Sequence, residues 1–203
     1  MHLLGKLPTS IRTGQERLSH NGHSLQYSLL DFWRWSVSDI MSNATRGIFA
    51  EFIVATAINL EQTGVRDEWA AYDLETPEGI KLEIKSCAYL QTWHQEKLSS
   101  IKFSIKEARY WDSNTGRYSE SAKRHVDVYV FCLLHHENKQ TIDPLNLNQW
   151  EFYVLAIKEL NESAKTKRQI TLRSLKRLMN AVSYDKLYEE IKHKHRLNKV
   201  LES

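Results

Sequence analysis

Glycine and proline are scarce in this chain of 203 residues, at seven and three, which excludes a linker-rich, collagenous or low-complexity polypeptide. Cysteine is scarcer still. Cys87 and Cys132 both sit inside apolar runs, too few for a four-cysteine zinc site and placed as buried reduced thiols rather than as a disulfide staple. No apolar run is long enough to cross a membrane, since the best one, Ile48 to Ile58, is short and carries Glu51 in its middle. The first twenty residues lack the sustained apolar stretch and small-residue cleavage site of a secretory signal, so the expected location is the cytoplasm. Neither sign of charge dominates: 28 Lys and Arg against 25 Asp and Glu leave a net charge of +3, too little by itself to announce a polyanion-binding protein. Glycine-rich phosphate loops and Gly-x-Ser-x-Gly elbows are missing, and none of the nine histidines is paired with cysteine at zinc-site spacing.

What the chain does have is enough apolar material for one sizeable core, with 41% hydrophobic and 26% charged residues. Residues 1–24 are polar and aperiodic and read as an irregular arm. Leu29, Leu30, Trp33 and Val37 recur at helical spacing, and Ser42 or Asn43 caps a second helix through NATRGIFAEFIVATAINLEQ that Gly64 closes. The period then changes. EWAAYDLE, TPEG and IKLEIKSCAYL read as strand, tight turn and strand, followed by strands at 100–105, 126–134 and 150–157. The last two are nearly continuous apolar runs, as expected of strands covered on both faces. Thr171 and Ser183 are placed to cap two closing helices. That order predicts a single mixed α/β domain. Charge is uneven along it: residues 158–203 hold twelve Lys and Arg against six Asp and Glu, a basic helical segment that either contacts phosphates or is simply a solvated surface.

Two features conflict with simple packing. Glu51 has Gly47, Ile48, Val54 and Ala55 as its helical neighbours, an apolar setting where a carboxylate is costly unless it meets a cation, a metal or several donors. A pair with an arginine such as Arg46 is the competing explanation. The second feature is Glu83-Ile84-Lys85, with Asp73 ahead of it. Acid-x-Lys triplets carry no information by count: the chain has three, and composition alone supplies about two. Context separates them, because only Glu83 and Lys85 lie on a strand whose other face is apolar. On such a strand both point to one face, about 7 Å apart, and the hairpin turn near Thr76–Gly79 brings Asp73 beside Lys81–Glu83. Two carboxylates beside one ammonium can hold Mg²⁺ and handle phosphate, or can be a solvated set of cross-strand ion pairs.

A Glu on an early helix (Glu51 in RGIFAEFIVATA), an Asp on the first hairpin strand (Asp73 in WAAYDLETPEG) and Glu-x-Lys on the second (Glu83 and Lys85 in IKLEIKS) resemble the PD-(D/E)xK nuclease superfamily, the restriction-endonuclease-like fold. The stretch LLDFWRWSVSDIMSNATRGIFAEFIVATA is also similar to a bacterial group within that superfamily. The resemblance covers residues 43–157 as a catalytic core. It implies that Asp73 and Glu83 bind Mg²⁺ or Mn²⁺, that the Ile84 carbonyl is a further ligand, that Lys85 orients the attacking water, and that Glu51 completes the site directly or through water. Gln91 matches an accessory polar position of some members. Tyr72 stands where many members have proline, so Asp67 and Glu75 are alternative ligands if the hairpin register differs.

The resulting expectation is one restriction-endonuclease-like domain that hydrolyses phosphodiester bonds in DNA with a divalent metal. DNA is the expected partner, a homodimer is allowed, and no membrane is expected. The loop KEARYWDSNTGRYSESAKRH (106–125), with three aromatic and five basic residues, is a candidate DNA contact or equally a solvated insertion, and Trp93 and Trp111 are either partly buried packing residues or candidates for stacking on bases. The rival reading is a catalytically silent module of the same fold that binds DNA or protein in a defence or repair system. A third, a structural interaction protein, predicts neither metal nor DNA affinity and is preferred if Glu51, Asp73 and Glu83 lie far apart.

Overall fold

The structure, a computed structural model, describes residues 7–60, 64–112, 115–164 and 167–200. Within residues 1–24 it differs from the sequence reading. Strands β1 (Arg17–His20) and β2 (His23–Ser28) form a hairpin around Asn21-Gly22, whose φ angles are +50° and +78°. A two-residue hairpin turn needs positive φ at both positions, and Asn-Gly supplies it at little cost. Ser28 then caps helix α1 (Leu29–Val37) in a capping box, its side chain accepting from the Asp31 amide while Asp31 accepts from the Ser28 amide at 2.8 Å. The apolar periodicity of α1 does not translate into core: the helix buries no residue.

Helix α2 (Asn43–Ala57) takes Ser42 as its N-cap. It ends well short of Gly64, with Asn59 at φ +53° and the Leu60 amide returning to the Ala55 carbonyl at 3.0 Å. The expected hairpin follows, but its first arm is short. Strand β3 (Leu74–Glu75) pairs with β4 (Lys81–Ala88) in the register Leu74–Leu82 and Glu75–Lys81, around a Thr76–Gly79 turn in which Gly79 has φ +82°. Strands β5 (Lys102–Ser104), β8 (Val128–Leu134) and β9 (Trp150–Ala156) match the expected apolar runs. The loop between β5 and β8 carries a small hairpin, β6 (Trp111–Asp112) with β7 (Arg117–Tyr118).

Helix α3 (Ile157–Ala164) follows β9 without a loop, so the helix begins at the residue where the apolar run predicts the last position of the strand. The short strand β10 (Gln169–Thr171) adds to the elements expected from sequence. Thr171 caps α4 (Leu172–Leu178) as expected, whereas Ser183 makes no capping bond and precedes a 3₁₀ turn that leads into α5 (Leu187–Val200).

The principal sheet has the order β3-β4-β8-β9, with β4 and β8 parallel and both outer pairs antiparallel. Its two faces bury two cores. Leu82, Ile84, Val128, Val130, Cys132 and Leu134 pack with residues of α2 and α5. On the other face Tyr129, Phe131 and Leu133 pack with Phe103, Leu160 and Leu175. Strand β8 is therefore buried at every position, which is why its sequence does not alternate. At about 1.5–3 kcal/mol per fully buried large side chain, these two layers are the main source of stability. The fold is mixed α/β, as expected, with five helices among the described residues. None of those helices is long and apolar enough to cross a membrane. Cys87 and Cys132 are both free, as expected, but only Cys132 is buried; Cys87 is half-buried.

Candidate active site

Strand β4 positions the acids and the lysine by its pleat. Leu82 and Ile84 enter the core beneath α2, so Glu83 and Lys85 share the opposite face. The Lys85 ammonium lies 2.5 Å from Glu83 Oε1 and 4.0 Å from Asp73 Oδ2. Asp73 sits just before the short β3 and is tied to β4 twice. Its amide donates to the Leu82 carbonyl at 3.0 Å, and its carboxylate accepts from the Ile84 amide at 2.7 Å. The side chain thus satisfies an edge N–H of β4 that a longer β3 would have bound through its backbone. Of the alternatives, Glu75 accepts a hydrogen bond from the Tyr72 hydroxyl, and Asp67 accepts from the Trp69 amide at 3.0 Å. Asp73 is the acid that meets Lys85.

All three side chains are mostly covered, with exposures of 20% for Asp73, 23% for Glu83 and 30% for Lys85. Burial pushes the Glu83 carboxyl above its ordinary pKa; the negative charges of Asp73 and Glu51 push the same way, against the opposing pull of Lys85. Tyr129, the register partner of Glu83 on β8, is likewise raised, chiefly by burial and then by the Glu83 charge, so its hydroxyl keeps its proton.

Glu51 lies beyond this trio. Its partner is Arg66 rather than Arg46: the guanidinium grips both carboxylate oxygens, at 2.5 and 2.9 Å, and Arg46 instead donates to the Met41 carbonyl and Asn43. A cleft of about 470 Å³ is lined by Glu51, Arg66 and Asp73, with Ile48, Phe52 and Leu74 supplying apolar lining. Gln91 is withdrawn from the site. Its side-chain amide donates to the Ala88 carbonyl and to Ser99 Oγ, holding the chain after β4.

Asp73 borders a second cleft too, of about 190 Å³, which Glu83 also lines. Lys106, Arg109, Tyr110, Lys123 and His125 line it, all from the 106–125 loop. Composition marks this loop in the sequence, but nothing in sequence spacing tells which of its cations reach the acids. Of the two tryptophans considered for stacking, Trp111 meets Tyr118 edge-on at 4.9 Å, while Trp93 is 54% exposed.

The donor set suits a hard divalent cation. Among the described residues no three His, Cys, Asp or Glu side chains are gathered closely enough to form a metal cluster by themselves. Mg²⁺ does not require one, because it commonly uses one or two carboxylates and completes its shell with water and substrate phosphate. Asp73 and Glu83, which already share a cation in Lys85, fit that requirement.

The molecule is thus a mixed α/β protein in which Asp73 borders both an apolar cleft and a basic one, Glu83 borders the basic one, and Lys85 lies against both acids. Residues 6–173 match the family model of bacteriophage T4 endonuclease IV, and the chain belongs to that family. The matched span contains Glu51, Asp73, Glu83, Lys85 and the basic cleft; α5 lies outside it. No curated protein matches the chain.

Proposed function

We propose that this protein is a divalent-metal-dependent endonuclease acting on DNA, with a PD-(D/E)xK-type site. The observation that carries the reading is the convergence of Asp73 and Glu83 on Lys85, on a strand edge that opens into a cation-lined cleft. Membership in a family named for an endonuclease supports hydrolysis within a strand rather than from its ends.

In this reading Asp73 and Glu83 hold Mg²⁺ or Mn²⁺, with the Ile84 carbonyl as a further ligand. The bound ion supplies Lewis acidity toward a phosphate oxygen and lowers the pKa of a coordinated water. The chain's own groups do the rest. The Ile84 amide fixes the Asp73 carboxylate, so one ligand is preorganised by the sheet. Lys85 donates to the attacking water or to the phosphate oxygen on which negative charge develops. Its covered setting strengthens that interaction relative to bulk water. Glu51, steered by Arg66, faces the same region from α2 and completes the site through water.

Circular single-stranded and supercoiled duplex DNA, incubated with Mg²⁺, Mn²⁺ or EDTA, test the reading directly. Linear or nicked products that require metal and vanish with Lys85→Ala are expected. Intact circles of both kinds in all conditions, from protein that is folded, would overturn it in favour of a binding module.

A further inference from the structure

The acidic trio poses an electrostatic problem: a phosphodiester strand must reach carboxylates that repel it. The molecule's cations are arranged accordingly. Lys106, Arg109, Lys123, Lys167 and Arg168 are all exposed, and among the described residues none of the five makes an ion pair. The fold brings them into one line from two distant stretches of chain. An antiparallel bridge between Ala108 and Lys123, bonded both ways at 3.2 and 3.1 Å, sets Lys123 beside Arg109. β5 pairs with β10, and the Ile105 amide donates to the Arg168 carbonyl at 3.0 Å, which puts Arg168 next to Lys106. Lys106 is shared between the cleft that holds Asp73 and Glu83 and a further groove of about 550 Å³ formed with Lys167, Arg168 and Gln169.

Arg124 has a different role. Its side chain is 2% exposed and donates to the Ile105 carbonyl at 2.9 Å and Asn161 Oδ1 at 2.5 Å, with Glu107 3.6 Å away. It fastens the 106–125 loop to β5 and α3 and so holds the outer cations in line. In the opposite direction the next cleft mixes Lys81 and Lys123 with Glu120 and Asp127, so unopposed positive charge extends only toward Arg168.

We propose that Lys123, Arg109, Lys106, Arg168 and Lys167 form a track for the sugar-phosphate backbone of a DNA strand, leading away from the Asp73–Glu83–Lys85 site. The proposal rests on the endonuclease reading for the identity of its ligand. It assigns DNA affinity to this track rather than to the basic C-terminal helices, where Lys192 is paired with Glu189 and Lys194 with Glu159.

Binding of the full-length protein to a fluorescein-labelled 20-nucleotide strand and its duplex, in EDTA and over a range of salt, tests the track. Each phosphate that a variant no longer neutralises should flatten the log–log salt dependence by about 0.7–0.9. Lys106→Ala, Arg109→Ala and Arg168→Ala should each flatten it by one such step, and the triple variant should bind about tenfold more weakly or worse. Lys176→Ala with Arg177→Ala, exposed cations on α4, should change neither quantity. The track is overturned if the triple variant binds like wild type, if the α4 variant weakens as much, or if wild type does not bind either DNA. Cleavage by Lys85→Ala separates the two ideas. An inactive Lys85→Ala with an unaltered triple variant removes the track alone. Equal cleavage by Lys85→Ala and wild type removes the proposed active site, and the salt dependence still judges the track.

Discussion

Adjacent residues of β4 face opposite demands. Leu82 and Ile84 are sealed beneath α2, while Glu83, which borders the basic cleft, and Lys85, paired with it, keep about a quarter of their side chains in contact with solvent. Across the sheet that contrast disappears: Val128 and Val130 lie in one core, and Tyr129, beside Glu83, is buried in the other. In the proposed reading the even positions of β4 serve stability and the odd positions Glu83 and Lys85 serve activity, although one backbone carries both.

The heaviest loss is therefore expected on the odd side. Lys85→Ala should lower cleavage about 10²–10⁴-fold, the usual contribution of a positioned proton-transfer or charge-stabilising group. Asp73→Asn should do as much by weakening a metal ligand. Asp73→Asn, which keeps an oxygen to accept from the Ile84 amide, should melt close to wild type, whereas Lys85→Ala leaves two mostly covered carboxylates without their cation and should lose some stability as well. A variant that lost activity only by unfolding would undo that separation. On the even side Leu82→Ala should cost about 2–5 kcal/mol of stability. Urea unfolding measures that loss, and the folded fraction should cleave at the wild-type rate. A specific loss of activity in folded Leu82→Ala would show that the two faces are not independent.

How much of this is readable from sequence follows the same division. Local pattern is legible: the continuous apolar runs of β8 and β9 announce their burial, and the alternation at Ile80, Leu82 and Ile84 puts Glu83 and Lys85 on one face. The Asn21-Gly22 hairpin has a legible signal too, but the polar residues around it mask the alternation, and both strands turn out exposed. Helix α3 is hidden because Ile157 continues the apolar run of β9 without a break. The meeting of distant cations is beyond local pattern. Arg66 reaches Glu51 across 15 positions, and Arg168 stands beside Lys106 only because β10 adds to β5. Such contacts depend on sheet order, which no local spacing encodes. The C-terminal excess of positive charge is only a coarse guide, since Lys192 and Lys194 are paired with acids while Lys167 and Arg168 of the same segment stand beside Lys106.

A subtler test uses Glu83, the acid of the pair whose titration burial shifts. Its folded-state pKa is raised by burial and by the Asp73 and Glu51 charges, so the folded protein binds a proton more readily than the unfolded chain does. That contribution to stability is complete below the unfolded-state pKa and is lost as pH rises through the folded-state value. Glu83→Gln abolishes the dependence, so its stability relative to wild type should improve as pH climbs through that window. Activity should run the other way, because only the ionised carboxylate can hold a cation: proton and metal compete, so the acid limb of the wild-type pH–rate profile should move to lower pH as the metal concentration rises. A limb that stays fixed over a wide range of metal concentration would mean that Glu83 is not the group being titrated.

Glu51 should matter least, and it sets the acids that meet Lys85 against one that does not. It is gripped by Arg66, whose side chain is 40% exposed, so the pair is worth about 0–1 kcal/mol. Glu51→Gln should shift stability by no more than that, by urea unfolding, and should reduce cleavage far less than Asp73→Asn. Arg66→Ala then distinguishes two roles. If Glu51 acts through a water, freeing it from Arg66 leaves the carboxylate present but unsteered, and Arg66→Ala should reproduce most of the Glu51→Gln loss. If Arg66→Ala instead raised activity, the arginine would be competing with the metal for Glu51, and Glu51 would belong with Asp73 and Glu83 as a direct ligand.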